Sequence, residues 1–103
     1  MAAKVEFYDF VSEDFSAPDP PLAYSMPGIR EEIEELLKGS RPDDEVKARL
    51  ERADQTILDH IHNLPADYDA DDPSQPPERW WWHLRAIKEG RLPMPSVGRE
   101  ATA

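Results

Sequence analysis

The sequence predicts a mainly α-helical protein: an antiparallel helical hairpin, a third, tryptophan-rich helix, and an extended, proline-rich N-terminal arm. Two observations carry this. Apolar residues recur at helical spacing through 27–64, in two stretches separated by Gly39 and Pro42. Prolines crowd 18–27 and 65–77, where they forbid a helix interior and so mark the ends of the helical unit.

The segment Lys4–Phe10, KVEFYDF, alternates and is rich in aromatics, which suits a short strand at 4–10 with Val5 and Phe7 on one face and Glu6, Tyr8 and Phe10 on the other. Pro18, Pro20, Pro21 and Pro27 then favour a polyproline-like path. Residues 1–26 are therefore expected to be an arm whose Phe7, Tyr8, Phe10 and Phe15 need a surface, supplied by the chain's own helices or by a partner. The first helix is expected over 27–38. Ser25 can cap it, Pro27 suits a first turn, and Ile29, Ile33, Leu36 and Leu37 form its stripe. The second is expected over 42–64, with Asp43, Asp44 and Glu45 in the first turn and Val46, Leu50, Ala53, Ile57, Ile61 and Leu64 along one face. The short connection around Gly39–Pro42 makes the pair a hairpin. A third helix over 77–89 carries Trp80, Leu84 and Ile87 on one stripe, with Trp81 and Trp82 to either side. The expected layout is thus an arm at 1–26, a three-helix unit at 27–90 with an acidic loop at 65–76, and an irregular tail at 91–103.

A chain of 103 residues fits one domain. It has no cysteine, so disulfides and thiolate metal sites are excluded. The N-terminus lacks a basic stretch leading into an apolar run, and no apolar run nears the roughly 20 residues that span a bilayer. A cytoplasmic location and no membrane association are the expectation. The formal charge is −10, and it is uneven: residues 65–78 carry −5 and residues 79–103 carry +3. An acidic body disfavours phosphate backbones and favours basic partners, although such charge also serves solubility alone.

In the acidic loop, Asp67, Asp69, Asp71 and Glu78 stand at positions 1, 3, 5 and 12 of a twelve-residue calcium loop, the spacing that lets hard oxygen donors converge on a cation. Asp72 occupies the place that requires glycine, and Pro73, Pro76 and Pro77 stiffen the second half. These four are weak candidates, and neither a metal nor any cofactor is expected. His60 and His62 are two apart, which points their rings in different directions on a helix, and His83 is distant in sequence. Neither a phosphate-binding glycine loop nor a nucleophile–base pair is present, so no enzymatic activity is expected.

Three consecutive tryptophans span about 200° of a helix, so one face cannot bury all of them. Tryptophan anchors interfaces well. The expected function is a small acidic protein-interaction module (an accessory subunit, adaptor or inhibitor) that binds a larger, basic protein through Phe7, Tyr8, Phe10, Phe15, Trp81, Trp82 and Arg85. A narrower version is an antitoxin, immunity protein or phage-type inhibitor, including one whose carboxylates mimic nucleic acid. Direct nucleic-acid binding through the basic, tryptophan-rich segment at 79–99 is a further alternative, disfavoured by the overall charge.

Overall fold

Helical periodicity governs the chain from its second residue. The computed structural model describes residues 2–18, 20–65, 68 and 72–95. Its helices are α1 (Ala2–Asp14), α2 (Met26–Gly39), α3 (Asp44–Asp59) and the short α4 (Leu84–Lys88), with single 3₁₀ turns at Ile61–Asn63 and Trp80–Trp82. The protein is mainly helical, with no strand among the described residues.

The first correction is α1. In place of an extended arm with a strand at 4–10, the chain forms a three-turn helix. Residues 2–14 contain neither proline nor glycine, and Val5, Tyr8, Val11 and Phe15 recur at spacings of three and four. All four are buried. The β-propensity of Val, Phe and Tyr is weak against the gain from burying a continuous helical stripe. The helix ends in turns in which Ser12 O accepts from Phe15 N–H at 3.1 Å, and Pro18 prevents any continuation. The Asp14 carboxylate accepts the Leu22 N–H at 3.1 Å, which folds the proline-rich connection back towards α2.

α2 begins one residue before Pro27, but Ser25 makes no side-chain cap and has helical backbone angles. Met26, Arg30 and Ile33 form its buried face, while Leu36 faces outward. α3 is capped by Asp43, whose side chain accepts the Val46 N–H at 2.9 Å. Its expected stripe is realised: Leu50, Ala53, Ile57, Ile61 and Leu64 are buried and Val46 packs against them. The helix is shorter than the expected 42–64, breaking at His60 into the 3₁₀ turn before Pro65.

α2 and α3 are joined by the short connection at 40–43, but side chains bridge them and their backbones are not closely packed. α1 packs chiefly on α3 and secondarily on α2. It runs alongside α3 in the same direction: Arg49 pairs with Glu6 at 3.3 Å, and the Asn63 amide donates to Phe15 O at 2.7 Å. The expected helix at 77–89 is divided. Arg79 and His83 have non-helical backbone angles, so the tryptophans form a 3₁₀ turn before α4. On either side of this break Trp80, Trp81, Leu84 and Ile87 are all buried. Gly90 ends α4 at φ 80°, where a side chain is strained. Gly90→Ala is expected to cost about 1 kcal/mol, read as a lower urea midpoint with an unchanged slope.

Candidate functional site

Two neighbouring residues of α2 organise the interior. Arg30 reaches into the gap between α2 and α3, where Nε and Nη2 donate to the two oxygens of Asp54, each at 3.0 Å. The same guanidinium donates to Glu34 at 3.0 Å and lies 4.5 Å from the centre of the Trp81 ring. The Tyr8 hydroxyl donates to Asp54 Oδ1 from the α1 side. Helices α1, α2 and α3 and the tryptophan turn therefore meet at one fork-to-carboxylate pair, a geometry that arginine's planar head favours.

The energetics follow from burial. Asp54 is 1% exposed. Burial pushes its carboxyl above the usual carboxylate range, against the pull of Arg30 and of the Tyr8 hydrogen bond. Burial also works against the Arg30 charge, but Asp54 outweighs it and holds the guanidinium protonated. Burial and the neighbouring Asp54 raise the Tyr8 phenol well above its ordinary value, so it remains a donor. Among the described residues no buried side-chain nitrogen or oxygen lacks a partner. Every buried polar side-chain atom of this network is thereby matched.

Glu31, next to Arg30, gathers the tryptophan turn. Its Oε1 accepts the Trp81 indole N–H at 3.1 Å and that of Trp82 at 2.7 Å, while Arg79 pairs with Oε2. Trp80 and Trp81 meet edge to face, 5.6 Å between centroids.

The expected partner-binding residues separate into two groups. Tyr8, Phe15 and Trp81 are interior and unavailable as outward anchors, and their burial corrects that expectation. Trp82 is half-buried and held by Glu31. Arg85 is half-exposed and pairs with Glu89 at 3.1 Å. Phe7 and Phe10 stand apart: they are 51% and 63% exposed and stack on one another at 6.5 Å on the outward face of α1. Glu6 and Glu13 are exposed beside them and Asp9 is half-exposed. Arg49 pairs with Glu6 and Asp9, while Glu13 has no ion pair among the described residues. The result is an aromatic pair within an acidic margin.

Among its described residues, the tryptophan segment buries two of its three indoles and gives each of its cations a partner. Trp80 and Trp81 face inward, Arg79 pairs with Glu31, Arg91 with Glu89, and Lys88 donates to Leu64 O at 2.6 Å. Asp67, Asp69 and Asp71 lie outside the described residues, so the calcium-loop spacing cannot be followed; Glu78 is exposed. The His60 ring contacts Thr56 O at 2.9 Å and the His83 ring contacts Gln75 O at 3.0 Å, so these histidines serve local turns. No cluster of three or more metal-ligating side chains occurs among the described residues. No helix there is long and apolar enough to cross a membrane.

Sequence spacing alone does not single out Arg30 or Glu31. Asp54 carried a signal: it lies four residues after Leu50 and three before Ile57, on the side of α3 that must face the core. A carboxylate there demands a buried cation. No protein-family model matches this chain, and no curated protein or solved structure does so either.

Proposed function

We propose that this chain is a small protein-interaction module, without chemistry of its own, that docks on a larger protein through the outward face of α1. The observation that carries the reading is the Phe7–Phe10 pair. The other aromatics of the first fifteen residues, Tyr8 and Phe15, are fully used by the core, while these two rings stack in solvent on a helix that the core holds rigid. Rigid aromatic anchors lose little entropy on binding and dominate interface energetics. The acidic margin of Glu6, Asp9 and Glu13, together with the −10 charge, fits a basic partner surface. An accessory subunit, an adaptor and an inhibitor all fit this description, and a cytoplasmic setting belongs to the reading. The inhibitor version, antitoxin-like or nucleic-acid-mimicking, requires the acids to dominate, and then affinity falls steeply with added salt.

The test compares the native chain with a Phe7→Ser/Phe10→Ser double variant as bait in the source cell. Both positions are solvated, so stability should stay within about 0.5 kcal/mol of the native value per site. Loss of each anchor is expected to cost about 2 kcal/mol of binding, roughly 30-fold in Kd, and a partner held by the native chain should be absent from the variant. Retention of the same partner at equal affinity by the variant contradicts the reading.

A further inference from the structure

The outward face of α1 is lopsided in charge. Ala3, Phe7, Phe10 and Asp14 follow one another at spacings of four, three and four, so they form one stripe, and none of them is buried. Glu6, Asp9 and Glu13 recur at spacings of three and four and form a second stripe about 100° round the helix. The ion pairs show which way each flank looks. Arg49 of α3 reaches Glu6 at 3.3 Å and Asp9 at 3.6 Å, so the acidic stripe borders α3. On the other flank Lys4 reaches Glu32 of α2 at 2.6 Å.

The three acids are not equivalent. Glu6 and Asp9 share Arg49, whose side chain is 39% exposed, and surface pairs of this kind contribute little to a fold. Glu13 is exposed one turn after Phe10 and has no ion pair among the described residues. The Phe7 and Phe10 rings, stacked at 6.5 Å on successive turns, make a ridge and not a pocket.

Given that the α1 face is the docking surface, we infer that a protein partner takes up this ridge in a shallow apolar groove, reading α1 as a helix. The rim of that groove is basic on the α3 side, where Glu13 receives it and Arg49 competes with it. A groove that accepts a helix face takes its anchors at i, i+4 and i+7, and Ala3, Phe7 and Phe10 stand at that spacing. A basic rim meets three acids and one base on the α3 flank. On the α2 flank it meets Lys4, already matched by Glu32, so charge fixes which way round the helix lies. Arg49 is the counter-charge that the partner's base must work against, and its removal frees two carboxylates beside the rings. A second copy of this chain is a poor occupant: a two-fold axis between antiparallel α1 helices sets acidic flank against acidic flank.

The experiment takes the protein that the native chain captures from the source cell and the Phe7→Ser/Phe10→Ser variant loses, purifies it, and titrates it with single variants. At about 50 mM salt Glu13→Lys should weaken binding at least about threefold, and Arg49→Gln should strengthen it by a similar factor. Both effects should vanish near 1 M salt, where the Debye length is about 3 Å. Arg91→Gln makes the same change in net charge beyond α4 and should leave affinity within about twofold. All three positions lie at the surface, so each variant should keep the native urea midpoint. Native affinity in Glu13→Lys, no gain in Arg49→Gln, or an equal gain in Arg91→Gln overturns the inference while leaving the docking face in place. So does sedimentation of the native chain as a dimer that Phe7→Ser/Phe10→Ser abolishes. If no captured protein is lost by the Phe7/Phe10 variant, the docking reading itself falls, and this inference with it.

Discussion

Asp54→Ala is expected to cost about 3–5 kcal/mol, a large share of the stability of a domain whose total is about 5–15 kcal/mol. The loss comes from what is left behind. Arg30 stays charged beside an apolar ring with its fork unpaired, and the Tyr8 hydroxyl loses its acceptor. Arg30→Met should cost a similar amount by orphaning the carboxylate. The double variant Arg30→Met/Asp54→Leu should be less damaged than the sum of the two, because it removes both charges from the core. Urea unfolding of the native chain and the three variants provides the cycle, and simple additivity would show that the two groups do not act as a pair. The acid dependence has a definite sign. Burial raises the folded Asp54 pKa above the unfolded value, so the folded state holds that proton more tightly. This preference stabilises the fold fully below the usual carboxylate value and is lost as pH rises through the higher folded value. Asp54 therefore does not drive acid unfolding, and its carboxyl carbon, followed by NMR, should titrate above the usual aspartate range.

Removing α1 has the second large effect. Deletion of residues 1–15 strips Val5, Tyr8, Val11 and Phe15 from a core that they share with α3, and takes the phenol away from Asp54. Far-UV circular dichroism should lose the signal of α2 and α3 as well as that of the thirteen deleted helical residues. Tyr8→Ala alone is expected to cost about 3–5 kcal/mol, combining cavity formation with a broken buried hydrogen bond. Phe10→Ala, two residues away, should change stability by no more than about 0.5 kcal/mol, because its ring is mostly solvated. If the shortened chain kept native-like helix and a cooperative transition, α1 would be an appendage after all.

The sequence declared the helical class and the long stripe of α3 plainly, because six apolar positions at steady spacing leave little choice. It was misleading at the N-terminus, where Val5, Phe7, Tyr8 and Phe10 fit both a period of two and a period near three and a half. Only the partners decide between them: α3 offers a long apolar face, and Tyr8 finds Asp54 there. The tryptophan run likewise pointed to a crowded helix but not to its solution, since the break at His83 is stabilised by Gln75 and Glu31, contacts between segments that sequence spacing does not reveal. Of the expected anchors, Phe7 and Phe10 alone lie open, because a helix turns its i and i+3 positions to one side while Tyr8 turns to the other.

The account rests on α1 being at once a wall of the core and a presenter of two open aromatic rings. Paramagnetic broadening of ring protons by a soluble gadolinium chelate, measured on the purified chain, reads both properties together. The Phe7 and Phe10 rings should broaden strongly, while Tyr8, Phe15, Trp80 and Trp81 remain sharp. Uniform broadening of Phe7, Tyr8 and Phe10, or protection of all three, would contradict it.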